Sequence, residues 1–334
     1  MLFARRSSVF GKRSRQCCGI VVTALLSVSA EADPFLTRDQ NPLLAGFGLP
    51  LPAPAELGRD SVSAVLNWSS TATISTTANE ALIVDNESRE WRLLWEHALS
   101  DRWSMRLQVP YRSTSGGNLD GFLENWHHTF GLPNGDRDSL PRSQLHIRYV
   151  RDGKVVADRS NDASGWGDVV LEAGYQWFKG DRANVSTWLN VEVPTGDANT
   201  LNGNEAVDTT ASVAGNYKLG NRWTTYGEAS LTYLGHGDLL SNEHERWVYS
   251  GTLGIEARTW GALSLGVQCD AHSAVVRASG LKMLGDAVTL TFGGNYLSRS
   301  NWRTTLGITE DIMVGASPDV TFVFQVTKQW LGKR

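Results

Sequence analysis

The sequence predicts an all-β chain folded as an antiparallel transmembrane β-barrel of about twelve strands. Three observations predict it. From residue 100 onward a polar turn carrying Trp repeatedly releases a run of alternating apolar and polar residues, opened by Asp101-Arg102-Trp103, Asn221-Arg222-Trp223 and Asn301-Trp302. After Trp103 the apolar members are Met105, Leu107, Val109 and Tyr111, with Ser104, Arg106 and Gln108 between them. That is the period-two pattern of a strand with one greasy and one wet face. Second, short connections near residues 100, 181, 221, 259 and 300 alternate with longer ones after 69, 112, 194, 234, 272 and 310, as tight periplasmic turns alternate with extracellular loops. Third, Trp recurs at strand ends, where a barrel places its aromatic girdles.

Residues 1–30 read as a secretory signal. Arg5, Arg6, Lys12, Arg13 and Arg15 precede an apolar segment from Gly19 to Val28, and small residues at Ala30 and Ala32 offer cleavage sites. The apolar segment is about half the ~20 residues a spanning helix needs, and no other segment approaches that length. A helical membrane protein is therefore excluded, whereas barrel strands need only ~9–11 residues each. The chain carries 31 basic and 35 acidic residues; without the five basic residues of the leader its net charge is about −9. So acidic a domain is a poor match for nucleic acid, and no such partner is expected. Cys17 and Cys18 fall in the leader, leaving Cys269 without an intrachain disulfide partner. A mean hydropathy of −0.25 suits a barrel, because only alternate strand residues face lipid.

Residues 31–60 are rich in Pro and Leu without periodicity, as in Asn41-Pro42-Leu43-Leu44 and Phe47-Gly48-Leu49-Pro50, and read as a periplasmic lead-in or plug. The barrel is expected over residues 61–330. Its first strand runs near Ser61–Ser69 and is followed by a Thr/Ser/Asn-rich loop; the second sets Trp91, Leu93 and Trp95 opposite Glu90, Arg92 and Glu96. After the Ser104–Tyr111 strand comes an extracellular insertion, residues 113–165, too long for an ordinary connection. It is expected to hold a short helix over Leu119–Phe130 and a hairpin at Asp152-Gly153, a type I′ signal flanked by Tyr149-Val150 and Val155-Val156. Strands resume over Val169–Trp177 and Val185–Val193. Further runs follow at Thr209–Leu219, Trp223–Tyr233, Trp247–Ala257, Leu263–Ala271, Val288–Tyr296, Trp302–Ile308 and Val320–Trp330. An even strand number places both termini at the periplasmic end.

The densest polar constellation spans Asn118–Pro133. On a helix Asp120 and Glu124 share a face, and His127 or His128 follows three or four residues beyond Glu124. Carboxylate with imidazole can bind Zn²⁺ or perform acid–base chemistry. HExxH-like spacing is missing, so these four residues are a candidate loop or plug site only. The plainer reading is a capped amphipathic helix burying Leu119, Phe122, Leu123, Trp126 and Phe130. The remaining His97, His146, His236, His244 and His272 are scattered, and no Gly-x-Ser-x-Gly elbow occurs. No catalytic residue, metal ligand or cofactor is expected. Pro194-Thr195-Gly196-Asp197 makes a turn at a strand-to-loop exit. The inward set Glu90, Arg92, Glu96, Arg106, Asp168, Glu172, Glu192, Glu228, Glu256 and Asp270 is expected to line the lumen. There, mixed charges suit either a water-filled pathway or a packed polar interior.

Asp120-Gly121-Phe122-Leu123-Glu124, followed by His127 or His128, Phe130-Gly131-Leu132-Pro133 and Asn134-Gly135-Asp136-Arg137, resembles the domain-of-unknown-function 3187 (DUF3187) family of bacterial proteins. The lead-in prolines and Pro318-Asp319-Val320 fit the same resemblance, which covers nearly the whole chain beyond the leader. It implies a secreted Gram-negative envelope protein and brings no established activity or catalytic residues. The expected location is the bacterial outer membrane, and the expected partners are outer-membrane lipid, the barrel-assembly machinery and a small solute or hydrophobic ligand. The expected function is passive transport or binding of that ligand, gated by the insertion or the lead-in. A barrel-wall lipid hydrolase and a structural or adhesion protein are the alternatives.

Overall fold

The computed structural model describes residues 33–131, 135–241 and 243–331; the expected signal, residues 1–30, lies outside them, as do the side chains of His127 and Phe130. In chain order the elements are β1 (Arg59–Thr76), β2 (Glu80–Ala98), β3 (Trp103–Ser115), α1 (Asp120–Phe130), β4 (His146–Arg151), β5 (Lys154–Arg159), β6 (Ala163–Trp166), β7 (Val169–Lys179), β8 (Ala183–Val193), β9 (Asp208–Leu219), β10 (Trp223–Tyr233), β11 (Trp247–Arg258), β12 (Leu263–His272), β13 (Ala287–Leu297), β14 (Trp302–Asp311) and β15 (Val320–Leu331). Strands β1, β2, β3 and β7 to β15 form one antiparallel ring of twelve, and β15 returns to β1 with a register running from Arg59↔Leu331 to Ser70↔Val320. Closure removes the unpaired edges that an open sheet would expose. Both ends of the described chain lie at the end of the barrel that carries the short turns, the turn end; the long connections cluster at the other, the loop end.

Alternation decides which way the wall faces, and it is inside-out compared with a water-soluble protein. The outward set stays exposed although apolar: Trp91 52%, Leu253 66% and Leu306 56%. The inward set is buried although polar: Asn67, Gln108, Ser186, Thr291 and Gln325 are all at or below 5% exposure. A continuous exposed apolar band of this kind is unstable in water and stable in hydrocarbon. It is rimmed by aromatic pairs. Trp103 and Tyr175 (ring centroids 4.8 Å apart) lie at the turn end, and Tyr111 with Trp166 (5.2 Å) and Tyr233 with Trp247 (5.0 Å) lie at the loop end. No described helix is long and apolar enough to cross a membrane.

The structure departs from the expected loop after residue 69. Pairing between β1 and β2 continues through Ser70↔Glu87 to Thr76↔Ala81, so the Thr- and Ser-rich stretch is strand and only residues 77–79 turn. Its polar composition reflects position beyond the membrane band, where β-branched Thr still favours the extended backbone. Above Glu87 the second strand exchanges partners, leaving β3 for β4. The insertion thus builds structure onto the barrel rim: β4 and β5 form the expected hairpin, with Asp152 (φ 49°) and Gly153 (φ 75°) both left-handed as a type I′ turn requires. The expected helix is α1. The sequence reading did not include β6, four residues paired to the top of β3.

Candidate functional site

The lumen is occupied by residues 33–58, which make a U through its full height. The U begins at the turn end, where the Asp33 carboxylate pairs with Arg303 Nη1 at 2.8 Å and accepts from Gln329 at 3.2 Å. At mid-height the Phe35 N–H donates to Gln268 Oε1 (2.8 Å) and the Phe35 carbonyl accepts from Gln268 Nε2 (3.1 Å). The Phe35 ring lies against two glycines paired across strands, Gly266↔Gly293. A Cβ on Gly293 would stand 2.6 Å from that ring and one on Gly266 3.3 Å, so the pair is required by close approach. Higher still, Asp39 pairs with His272 (3.0 Å), and Asn41 donates to the Met283 carbonyl at the loop end (2.6 Å). The chain turns over residues 41–47 and descends. Gly48 donates to Asp208 (2.8 Å), Ala53 to Glu228 (2.6 Å) and Leu57 to Gln176 (2.7 Å). Arg38 staples the two limbs by donating to the carbonyls of Ala45 (3.1 Å), Phe47 (3.2 Å) and Leu49.

Against this U the inner wall presents charge. Glu90, with no exposed surface, accepts from Arg92 Nε (3.1 Å) and Nη2 (3.0 Å) and from Arg112, and lies 4.0 Å from Arg38. Arg112 also donates to the carbonyls of Ala45 (3.0 Å) and Leu201 (3.2 Å), tying the wall to the apex of the U. One strand over, Arg106 pairs with Glu172 at 2.6 Å, and Gln108 bridges Glu172 to Arg92. The opposite wall is acidic: Glu228 holds Ala53, Glu256 accepts from Asn295 (2.7 Å), and Asp270 accepts from Thr252 (2.6 Å) and Gln268 (2.9 Å). Between wall and U there remain spaces of about 40 Å³ beside Arg38, Leu51 and Asp270 and about 70 Å³ beside Pro34, Glu96 and Arg106. Spaces of that size have room for a few waters each.

The loop end is closed differently, by an apolar cap. Leu43, Leu44, Phe47 and Leu49 from the U pack with Leu82 and Val84 of β2, Ile147 and Tyr149 of β4, and Leu234, Leu239, Val275, Val276 and Met283 from the loops. His244 sits in this cap, its ring 5.5 Å from that of Phe47. Burial, reinforced by Arg246, His236 and Arg277, holds its pKa below the ordinary imidazole value.

Nine of the ten expected lumen residues are wall side chains; besides those above, Glu96 and Glu192 line the spaces beside the U. Asp168 is different. It precedes β7 and accepts three backbone N–H groups, from Thr195 (2.8 Å), Gly196 (2.7 Å) and Asn204 (3.1 Å). It thereby pins the Pro194–Asp197 turn, and burial pushes its pKa up. The constellation on α1 lies outside the lumen altogether. Leu119 and Leu123 pack on Val320 and against Trp68, Ile308 and Phe322, which share the outward parity of β1, β14 and β15. Asp120 pairs with Arg137 and accepts from the Ser143 N–H (2.8 Å), while Glu124 accepts from Arg142 Nε (3.0 Å). His128 is exposed and the side chain of His127 is outside the described residues. Among the described residues no cluster of His, Cys, Asp and Glu could hold a metal ion. Asp120 and Glu124 fasten the helix to its own loop. A helix entered from Leu119 and bearing Phe122, Leu123 and Trp126 finds more apolar area on the barrel exterior than in a charged lumen.

Several functional residues escaped the sequence reading. Gln176 and Gln268 carry the polar parity of their strands, and that parity is a usable signal. Arg38 had none, because it lies in a segment without period. Glu87 was assigned to a loop, yet its carboxylate accepts from Trp68 Nε1 (2.8 Å), Asn118 N (2.8 Å) and Leu119 N (3.0 Å), joining α1 to the wall. Gly117 (φ 64°) passes so close to this carboxylate that any Cβ would collide with it.

A closed twelve-stranded barrel, apolar outside, charged inside and filled by residues 33–58, defines a transmembrane β-barrel protein with an occupied lumen. The sequence matches the model of the family described as "Protein of unknown function (DUF3187)" over residues 12–330, and the chain belongs to that family. No curated protein matches it. Among solved structures, the COG4313 outer membrane channel from Pseudomonas putida F1 is similar with a TM-score of 0.55 at 12% identity, over 90% of this chain and 100% of that one, and shares the fold. The KdgM porin gives a TM-score of 0.44 at 7% identity, over 80% of this chain and 98% of that one. The P. putida toluene transporter TodX gives 0.40 at 13%, over 84% and 92%.

Proposed function

We propose that this protein is a Gram-negative outer-membrane channel for passive passage of a small solute or hydrophobic compound, with residues 33–58 as its gate. The observation that carries the reading is the U itself. A barrel whose purpose was only structural would fill its lumen with wall side chains. This one keeps a charged inner wall and fills the space with a continuous chain segment without secondary structure, whose descending limb is held to the wall by separate hydrogen bonds to Asp208, Glu228 and Gln176, each worth about 1 kcal/mol net. The Asp33 end of the U opens toward the turn end, so the ascending limb can leave without breaking the β1–β15 seam. The insertion, expected to share the gating role, supports it less: α1 lies outside the wall, and the insertion reaches the apolar cap through Leu145, the β4–β5 hairpin residues Ile147 and Tyr149, and the partly buried Val156 and Ala157.

Planar-bilayer recording tests this. The full chain is expected to conduct little, and deletion of residues 34–57 to give large, stable steps. Deletion of residues 118–131 should leave the full chain as closed as before. A barrel that folds without residues 34–57 yet conducts no more than the full chain would sink the gate.

A further inference from the structure

The helix α1 has no place in a passage reading, yet it is carefully fastened. Glu87 of β2 holds the chain just before it, and Arg137 bridges Asp120 to Asp319 (2.5 Å) and donates to Ser70 of β1 (3.1 Å). Its inner side, Leu119 and Leu123, covers Val320 on the outer face. Its flank remains uncovered. Phe122 is 51% exposed, with its ring 6.1 Å from Phe322 of the wall and 6.1 Å from Trp126 of its own next turn.

The level of this surface is set by the strands. Phe322 stands as far along β15 from Trp330 as Tyr111 stands along β3 from Trp103. Trp103 and Trp330 are turn-end aromatics, and Tyr111 belongs to the loop-end girdle. Trp68 and Phe322 (6.3 Å) are therefore the girdle pair at the seam where the first and last strands meet, and α1 lies across them. The exposed Phe122 continues the lipid-facing band. Two cationic groups border it: Arg89, 40% exposed with its guanidinium carbon 4.8 Å from the Trp68 ring centroid, and Arg142, 67% exposed on Glu124. Arg89 is the cross-strand partner of Trp68 and pairs with Glu87 (2.6 Å), and aromatic rings beside such partly exposed guanidinium groups suit the boundary between acyl chains and lipid headgroups.

We propose that α1 is an interfacial helix whose Phe122–Trp126 flank lies in the lipid boundary on the loop side, covering the barrel seam from outside. The partner is the lipid surface itself. This goes beyond the passage reading and stands or falls separately from it, since nothing in it depends on conductance.

The test uses the full chain refolded into phospholipid vesicles, with Cys17→Ser, Cys18→Ser and Cys269→Ser as background and one environment-sensitive fluorophore at Phe122→Cys, Tyr233→Cys or Lys154→Cys. Tyr233 marks the loop-end girdle and Lys154 the exposed tip of the β4–β5 hairpin. A shallow nitroxide phospholipid should quench the label at 122 as strongly as that at 233, and about twofold or more beyond that at 154. Quenching at 122 no stronger than at 154 overturns the proposal. A label at 122 indifferent to lipid quencher in a chain that sediments as a dimer in detergent overturns it as well, and assigns the surface to a second copy.

Discussion

Glu90 has no exposed surface and three guanidinium groups around it, those of Arg92, Arg112 and Arg38. It balances charge that has no other route to water, because two of the three arginines are on the wall and cannot leave. Glu90→Gln keeps the shape and removes the charge, leaving Arg92 and Arg112 buried beside a neutral amide. Breaking a buried pair from one side costs about 3–5 kcal/mol, so the urea midpoint of the refolded barrel is expected to fall well below that of the parent. Glu124→Gln, whose partner Arg142 is two-thirds in solvent, should leave the midpoint unmoved, since exposed pairs are screened. Equal effects of the two substitutions would contradict this ranking. The residues are one chemical type on similar spacings; burial alone separates them.

At the scale of elements, the loop-end cap has a built-in pH dependence. His244 is 3% exposed against Phe47 and is held neutral by burial and by neighbouring positive charge. A pKa depressed in the folded state makes the neutral ring a stabilising feature above about 6.5, the unfolded value, and that contribution is lost as pH falls through the folded value. Resistance of the loops to protease is therefore expected to drop on going from pH 8 to pH 5, and His244→Phe to flatten the drop. An unchanged pH profile in His244→Phe would show that another group governs it. The same element carries the apex of the U, so loosening the cap also loosens the upper end of the U.

For the whole molecule, the inversion of inside and outside is the property on which membrane residence depends. Leu253 lies near the middle of the outward face of β11 and is 66% exposed. Arg at this position should destabilise the barrel in lipid by about 2–4 kcal/mol. Thr291→Val on the inward face loses only the hydroxyl contact to Thr309 (2.7 Å) and should cost about 1 kcal/mol. Refolding yields into vesicles at graded urea give both numbers. A Leu253→Arg barrel as stable as the parent would mean that this face does not meet hydrocarbon.

Strand number, closure class and the facing of nearly every wall residue were legible in the chain, because a two-residue period needs no distant partner to be read. The type I′ turn at Asp152-Gly153 and the helix at Asp120–Phe130 were legible for the same reason: each follows from local backbone preference. Residues 70–89 were misread as loop because their alternation fades above the membrane band, where strand pairing rather than lipid sets the backbone. Residues 31–60 were read as a periplasmic lead-in or plug, but neither their path through the lumen nor the outside placement of α1 followed from the sequence. Each depends on which surface, lumen or exterior, satisfies a segment better, and that is settled by groups far apart in sequence, such as Phe35 with Gly293 or Glu87 with Leu119. Twelve strands and a charged interior follow from the two-residue period alone; the filling of that interior by residues 33–58 follows only from the folded barrel, because a lumen exists to be filled only after the last strand has met the first.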